Sequence, residues 1–305
     1  MSQGVWAALG LFLAGIWAGI WAGPGSAGPV LEPVAQVPWP AEPAGIGGLS
    51  GLIIRDDGAG LWAVSDQGEL ISARIPRSED GVPQGIAAIT RHVLTDTKGN
   101  PPRAFLANAE ALADDGGGGF YVAYEAWARV WHYARPGAVP TWTHAWDRFW
   151  DRLGNAGFEA LARDGDGRLY VISEQVTETG FPVFVHDGTP DGAWTRAFSL
   201  PARDGYLVSG ADIGPDGALY VLERRFRWLG GFATRIRRYA LSGAGAEGGD
   251  LLFDGETGGL GNSEGIDVWT SPVDGGLRIT LISDDNFSRF QSSVMTEFRL
   301  VGPGP

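Results

Sequence analysis

Acidic side chains recur at two places in a short pattern that the chain repeats five times. In each copy a strand-like run begins at the first place, a turn follows, and a second strand-like run ends at the second place. The acids at the first place are Glu110, Glu159 and Glu264, and those at the second place are Asp66, Glu125, Glu174 and Asp284. Carboxylates gathered at one site can exchange protons in acid–base catalysis or bind a hard cation.

The repeat that carries these acids predicts a β-propeller. In the third copy, residues 159–162 are a short strand-like run, residues 164–167 are rich in Asp and Gly as turns are, and residues 169–173 form a β-rich strand. Two further strand candidates follow each hairpin, and units of four strands at intervals of roughly 50–60 residues are typical of propeller blades. The sequence predicts a single all-β domain of five blades, or of six if one long interval hides a degenerate unit.

The two ends of the repeat region complement each other. The last copy supplies only three strand candidates, at residues 264–269, 277–283 and 294–300, whereas residues 30–37 are a strand-like run left over before the first copy. We therefore expect the N-terminal strand to complete the last blade and to close the ring.

Ring closure would bring the two acid positions, here called the first and second columns, to one channel mouth. Antiparallel pairing returns the chain to its starting level, so both columns fall on the same rim. The non-acidic members are Ser50 and Ala211 in the first column and Arg224 in the second. Two carboxylates about 6 Å apart repel by roughly 3 kcal/mol at an effective dielectric near 20. Such a mouth needs raised pKa values or bound cations.

Oxygen ligands and the absence of cysteine favour a hard cation, Ca²⁺ before Mg²⁺ or Mn²⁺. We predict Ca²⁺, or another divalent cation, as the cofactor, with ligands from Asp66, Glu110, Glu125, Glu159, Glu264 and Asp284. The alternative is that these acids are merely solvated and spread around a wide rim.

Arginines lie beside the predicted mouth in the run 223–227. Because guanidinium forks bind phosphate oxygens bidentately, we assign Arg224 and Arg225 to phosphate binding. In the alternative interpretation, these arginines pair with the acids and hold the blade ends together. Glu174 or Glu223 is the predicted general base.

Composition excludes several function classes. The chain has 305 residues and a formal net charge of −13, which argues against a nucleic-acid partner. It has no cysteine, so disulfides, thiolate catalysis and zinc–thiolate sites are excluded. We expect a monomer that acts on a small-molecule, phosphorylated substrate.

The first 27 residues differ from the rest of the chain. Residues 5–21 are nearly all apolar, and the small residues that follow, up to Ala27, are typical of a signal-peptide cleavage region. No Lys or Arg precedes the apolar run, so an uncleaved membrane anchor of about 17 residues is the alternative. We expect residues 28–305 to form the propeller domain, periplasmic or secreted. With an uncleaved anchor, the domain would face the periplasm from the inner membrane, the one case in which a membrane is a partner.

Several of the repeated runs together resemble one family. These runs are residues 48–52, 65–66, 108–112, 157–161, 223–226, 264–266 and 283–287. They resemble the phytase-like β-propeller family described as "esterase-like activity of phytase", over about residues 30–300. The resemblance implies an exported bacterial propeller whose Glu and Asp residues serve metal-dependent phosphoester hydrolysis. True alkaline phytases are six-bladed and lysine-rich at the phosphate site, whereas Lys98 is the only lysine here.

We interpret the chain as an exported, metal-dependent hydrolase of a phosphoester at an acidic, Ca²⁺-binding channel mouth. One alternative is a metal-dependent lactonase or esterase, which would use the same carboxylates on an uncharged substrate. The other is a non-catalytic binding or scaffold propeller of the cell envelope, in which calcium has a structural role.

Overall fold

The computed structural model describes residues 28–144, 157–228, 230–243, 245–255, 257–287 and 291–302. The predicted signal peptide or anchor, residues 1–27, lies outside these ranges. Within them, the chain forms five antiparallel sheets of four strands each, which confirms the all-β, five-bladed propeller. No helix in this part of the chain is long and apolar enough to cross a membrane.

In blades 1 to 4 the strands follow one another in chain order, from the channel outward. Blade 1 consists of β2 (Leu49–Arg55), β3 (Gly60–Ser65), β4 (Glu69–Arg74) and β5 (Ala87–Val93). Blade 2 consists of β6 (Ala109–Asp114), β7 (Phe120–Tyr124), β8 (Arg129–Tyr133) and β9 (Trp142–His144). Blade 3 consists of β10 (Phe158–Arg163), β11 (Leu169–Ser173), β12 (Phe181–His186) and β13 (Thr195–Leu200). Blade 4 consists of β14 (Leu207–Ile213), β15 (Leu219–Arg227), β16 (Gly231–Ser242) and β17 (Gly245–Asp254).

Blade 5 closes the ring as predicted. It consists of β18 (Asn262–Thr270), β19 (Leu277–Asp284), β20 (Val294–Val301) and the N-terminal β1 (Val30–Pro38). Strands β1 and β20 pair antiparallel from Val30 opposite Val301 to Pro38 opposite Val294. This pairing covers the edge of β20 and joins both ends of the domain in one sheet. Outside the sheets, the described residues include two short 3₁₀ turns, Asp56–Gly58 and Ala104–Leu106.

Apolar side chains fill the spaces between neighbouring blades. Phe158 of blade 3 packs with Tyr121 and Val130 of blade 2, and Ile266 of blade 5 packs with Tyr220 of blade 4. Strands β7 and β11 are buried at all five positions, because a blade near the channel is covered on both faces. The starts of the inner strands are therefore held rigidly around the channel.

Candidate functional site

One mouth of the channel is an acidic cavity of about 280 Å³. The inner strands of the blades begin here, and the second strands end here. We call this cavity the acid mouth; its lining residues are Gly48, Ser50, Asp66, Asn108, Glu110, Glu125, Glu159, Glu174, Arg224, Glu264, Asp284 and Asn286. All six predicted metal ligands are among them, together with Glu174 and Arg224.

The first-column acids reach the mouth because each lies at a β-bulge. The register of the inner pair shifts by one residue at Glu110, at Glu159 and at Glu264. A bulge leaves its extra residue out of the ladder and redirects its side chain. In blade 4 the shift falls at Ser209, so the prediction of Ala211 as the first-column member was wrong. The sequence repeat is offset there by two residues, and only the pairing with β15 sets the register.

The second-column acids are held by a recurring backbone hydrogen bond. The N–H of Asp66 donates to the carbonyl of Gly48 over 3.0 Å, and the N–H of Glu125 donates to Asn108 over 3.1 Å. Glu174 makes the equivalent bond to Gly157 over 3.5 Å. Each acceptor lies two residues before its first-column residue, so one local geometry sets both columns. In blade 1, Gly48 also leaves the room that the Asp66 carboxylate occupies, since a Cβ there would overlap it.

Arg224 is the cationic member of the ring. Its guanidinium forms an ion pair with Glu264 and donates to the Asn262 side-chain oxygen over 2.9 Å. Its Nη2 lies 3.8 Å from Glu159. The arginine therefore bridges acids from two blades, as the alternative sequence interpretation anticipated.

Hydrogen bonds from neutral side chains orient two further acids. Glu264 accepts from Ser50 Oγ over 2.9 Å and from Asn262 Nδ2 over 2.7 Å. Glu125 accepts from the amide of Asn108. Sequence reasoning missed both asparagines, although each lies two residues before a first-column glutamate, in the pattern Asn-X-Glu. That repeated spacing was the available signal.

Burial and crowding raise the pKa values of the acids. Burial, with a smaller contribution from the charges of Glu159, Glu264 and Glu125, raises the pKa of Glu110 to about 9. Burial also raises the pKa of Asp284 to about 7 and that of Asp66 to about 6, and Glu264 adds to both shifts. The mouth therefore holds protons at neutral pH and would release some of them to an added cation.

Glu159 and Glu174 form a carboxyl pair. Burial raises the pKa of Glu159 to about 8 against the opposing charge of Arg224, and both the charge of Glu174 and a hydrogen bond to it favour the protonated form. A hydrogen bond between two carboxyl groups exists only when one of them carries a proton. The pair can therefore deliver or accept a proton near neutral pH.

Near blade 5, the acid mouth contains a carboxylate oxygen that accepts no hydrogen bond from the described residues. Asp66 Oδ1 is buried and has no hydrogen-bond partner among the described residues. Asp66 and Asp284 repel one another and Asp285 nearby. Oxygen donors with excess negative charge fit a divalent cation. Within the described ranges, however, no three acidic or histidine side chains stand together as a metal-binding group. A cation would have to draw the carboxylates inward.

The structure does not place two predicted catalytic residues at the mouth. Glu223 is buried beside Arg237, whose Nε donates to it over 3.2 Å. Arg225 donates to the carbonyl of Asp204 over 2.7 Å and stacks on Tyr206. Successive side chains of a strand point to opposite faces, so Arg224 faces the mouth while its two neighbours face away.

Comparison with known proteins places the chain in a family. The family described as "Phytase-like: Esterase-like activity of phytase" matches residues 44–287. The chain belongs to this phytase-like family. The comparison with curated proteins found no match.

Two solved structures are similar in fold. A thermostable family-43 glycoside hydrolase is 12% identical, with a TM-score of 0.51 over 88% of this chain and 96% of that one. The catalytic domain of the Coprinopsis cinerea GH62 α-L-arabinofuranosidase is 11% identical, with a TM-score of 0.50 over 90% of this chain and 96% of that one. At such low identity, the likeness concerns the fold alone.

Proposed function

We propose that this phytase-like propeller is an exported hydrolase that cleaves a phosphoester at the acid mouth with the help of a divalent cation, Ca²⁺ in the first place. The observation that carries the proposal is the convergence of seven carboxylates and one guanidinium from all five blades on one cavity. A purely structural role would not require so many unbalanced acids, because each buried carboxylate without a counter-charge costs stability.

Proton transfer is assigned to the carboxyl pair. Glu159, protonated near neutral pH, would donate its proton to the leaving oxygen, and Glu174 would accept a proton from the attacking water. Glu174 replaces Glu223 as the general base, because Glu223 faces Arg237 rather than the cavity.

Substrate binding is assigned to Arg224. Its Nη2 lies 3.8 Å from Glu159, beyond hydrogen-bond distance, so this nitrogen can still donate to an incoming phosphoryl oxygen. Glu264 and Asn262 hold the other side of the guanidinium in place.

The cation would be held by carboxylates of the mouth, foremost Asp66 and Asp284, with Glu264 beside them. Glu110 and Glu125 lie on the blade 2 side of the same cavity and complete the set of candidate ligands. Glu159, which the sequence also predicted as a ligand, is assigned to proton transfer instead. When bound, the cation would neutralise the acids and polarise the phosphoryl group.

A second candidate is a lactonase or esterase. The charge balance of the mouth, seven acids against one arginine, favours it, because an uncharged ester is not repelled by the carboxylates. The same residues would then act on a carbonyl carbon.

The experiment measures hydrolysis of bis-p-nitrophenyl phosphate and of a simple lactone by the purified protein, with and without EDTA. Metal content is determined by mass spectrometry on the same sample. Phosphodiester cleavage that EDTA abolishes is expected, and EDTA-sensitive lactone cleavage alone would favour the second candidate. If neither substrate is cleaved and EDTA only lowers the melting temperature, the protein is a scaffold and the proposal is wrong.

A further inference from the structure

Six exposed apolar side chains lie within four residues, along the chain, of a residue that lines the acid mouth. We call this set the apolar collar; it consists of Phe105, Trp127, Val176, Phe226, Trp228 and Phe287. Trp228 is 89% exposed and Phe226 is 62% exposed. Large apolar side chains exposed beside a cavity are typical of places where a ligand or partner binds.

The collar is continuous with the mouth along the chain. Trp127 follows Glu125 by two residues, and Val176 follows Glu174 by two residues. Phe226 lies two residues after Arg224 on the same strand, β15, and therefore on the same face. The collar therefore flanks the chain positions that supply the carboxylates and Arg224.

Two collar aromatics are held in an unfavourable backbone conformation. The φ angle is 54° at Trp127 and 48° at Phe287, in the left-handed region that large side chains avoid. Trp127 packs edge-on against Phe105, with ring centroids 5.9 Å apart. Phe287 lies against Gly47, where a Cβ would come within 2.9 Å of its ring. Backbone strain of this kind is common at binding sites.

The blade 4 hairpin extends the collar beyond the mouth. Strand β15 has nine residues, whereas the equivalent β7 and β11 have five. The extension pairs Phe226 with Phe232, whose rings are 5.3 Å apart. The Arg224 guanidinium lies 5.7 Å from the centre of the Phe232 ring. The hairpin thus links the proposed phosphate-binding arginine to the exposed aromatics.

The charges of the acid mouth limit how much negative charge a bound phosphoester can carry. Of the described residues that line it, Arg224 is the one cation, and the chain has a single lysine, Lys98. A polyphosphorylated ligand would need several cationic partners. The site therefore suits a substrate of low charge.

We propose, as an extension that rests on the proposed function, that the substrate is an amphiphilic ester of low charge. Its ester group lies in the acid mouth, and an apolar substituent, aryl or alkyl, packs on the apolar collar. The aromatic side chains contribute binding by removing that substituent from water.

The test compares two phosphodiesters that release the same p-nitrophenol: bis-p-nitrophenyl phosphate and methyl p-nitrophenyl phosphate. The readout is the ratio of their kcat/KM values. Trp228→Ala, and separately Trp127→Ala, are expected to lower this ratio by about tenfold, the effect of losing one ring of apolar contact. Val273→Ala removes an exposed apolar side chain from the turn between β18 and β19, at the other end of the channel, and is expected to leave the ratio as in the wild type.

A binding measurement separates this inference from the proposed function. Calorimetry compares diphenyl phosphate with dimethyl phosphate on the wild-type protein and on Trp228→Ala. Tighter binding of diphenyl phosphate that is lost in the variant supports the collar even if no ester is hydrolysed. An unchanged kcat/KM ratio in both tryptophan variants, or equal binding of the two phosphates, would overturn the inference while leaving the hydrolase proposal standing.

Discussion

The two ends of the channel both carry buried acids, but their partners differ. The end opposite the acid mouth opens into a cavity of about 580 Å³ lined by Asp114, Asp212 and Asp267 among others. There, Asp212 accepts the N–H of Val268 in the next blade over 2.8 Å. Asp267 accepts the N–H of Ile54 in the blade after that. Asp114 forms an ion pair with Arg55. Each of these acids ties one blade to the next.

The acid mouth lacks this one-to-one balance. Seven carboxylates share one guanidinium and a few neutral donors, and Asp66 Oδ1 has no partner within the described residues. Burial raises pKa values at both ends, to about 6 at Asp212 and to about 8 at Glu159. A raised pKa therefore does not distinguish function from structure. The number of hydrogen-bond and ion-pair partners of each acid does distinguish them, because an acid without such a partner remains available to a ligand.

Replacing one acid at each end of the channel tests most directly whether the two ends differ in function. Glu159→Gln is expected to lower kcat by about 10²–10⁴-fold, because the amide cannot transfer a proton. Asp212→Asn, which keeps an oxygen for the Val268 N–H, is expected to retain a kcat near that of the wild type. Steady-state kinetics and circular dichroism of both variants check this. Similar losses in the two would show that the ends do not differ in function.

Glu223, next to the acid mouth, provides a second test of the difference between structural and catalytic acids. Glu223 forms a buried pair with Arg237, so Glu223→Ala is expected to lower the free energy of unfolding by about 3 kcal/mol. Turnover per folded molecule should persist. The matched control is Glu32→Ala, which removes an exposed partner of Arg299 and should cost little. Urea denaturation and kinetics are the measurements; loss of turnover without loss of stability would return Glu223 to the active site.

Cation binding should occur at the acid mouth and not at the opposite end. Saturating Ca²⁺, at about 100 times its dissociation constant, is expected to stabilise the wild-type protein by about 3 kcal/mol and to raise Tm by about 5–10 °C. Asp66→Asn and Asp284→Asn should abolish most of this shift, whereas Asp212→Asn should keep it. Differential scanning fluorimetry with Ca²⁺ and with EDTA checks the prediction. An equal shift in all three variants would exclude the mouth as the binding site.

The smallest expected effect is a pH dependence at the opposite end. Burial raises the pKa of Asp212 from 3.8 to about 6, so the folded protein holds a proton that the unfolded chain has already released. The contribution of this proton to the free energy of unfolding is fully present below about pH 4 and is lost as the pH rises through 6. Asp212→Asn should therefore flatten the decline in unfolding free energy between pH 4 and 7 by about 2–3 kcal/mol. Urea titrations at four pH values measure it, and parallel curves for both proteins would contradict it.

Much of the fold was predictable because it repeats. The period of the hairpins and the unpaired N-terminal strand indicated five blades and ring closure, and the pairing of β1 with β20 confirms both. Both acid columns followed from the spacing alone in blades 1, 2, 3 and 5. The exception is blade 4, where Ser209 takes the place expected for Ala211, because a bulge is set by the partner strand and leaves no mark in the repeat.

The sequence by itself determined the number of blades, the closure of the ring and the gathering of most acids on one rim, because these depend on the period and on residue type. Only the tertiary structure decided which side chains of the run 223–225 face the cavity, since that depends on strand register. It also decided that Arg224 pairs with Glu264, forty residues away, and that Glu159 lies within hydrogen-bond distance of Glu174. Such pairings, and the pKa values that follow from them, depend on distances through space between side chains on different strands.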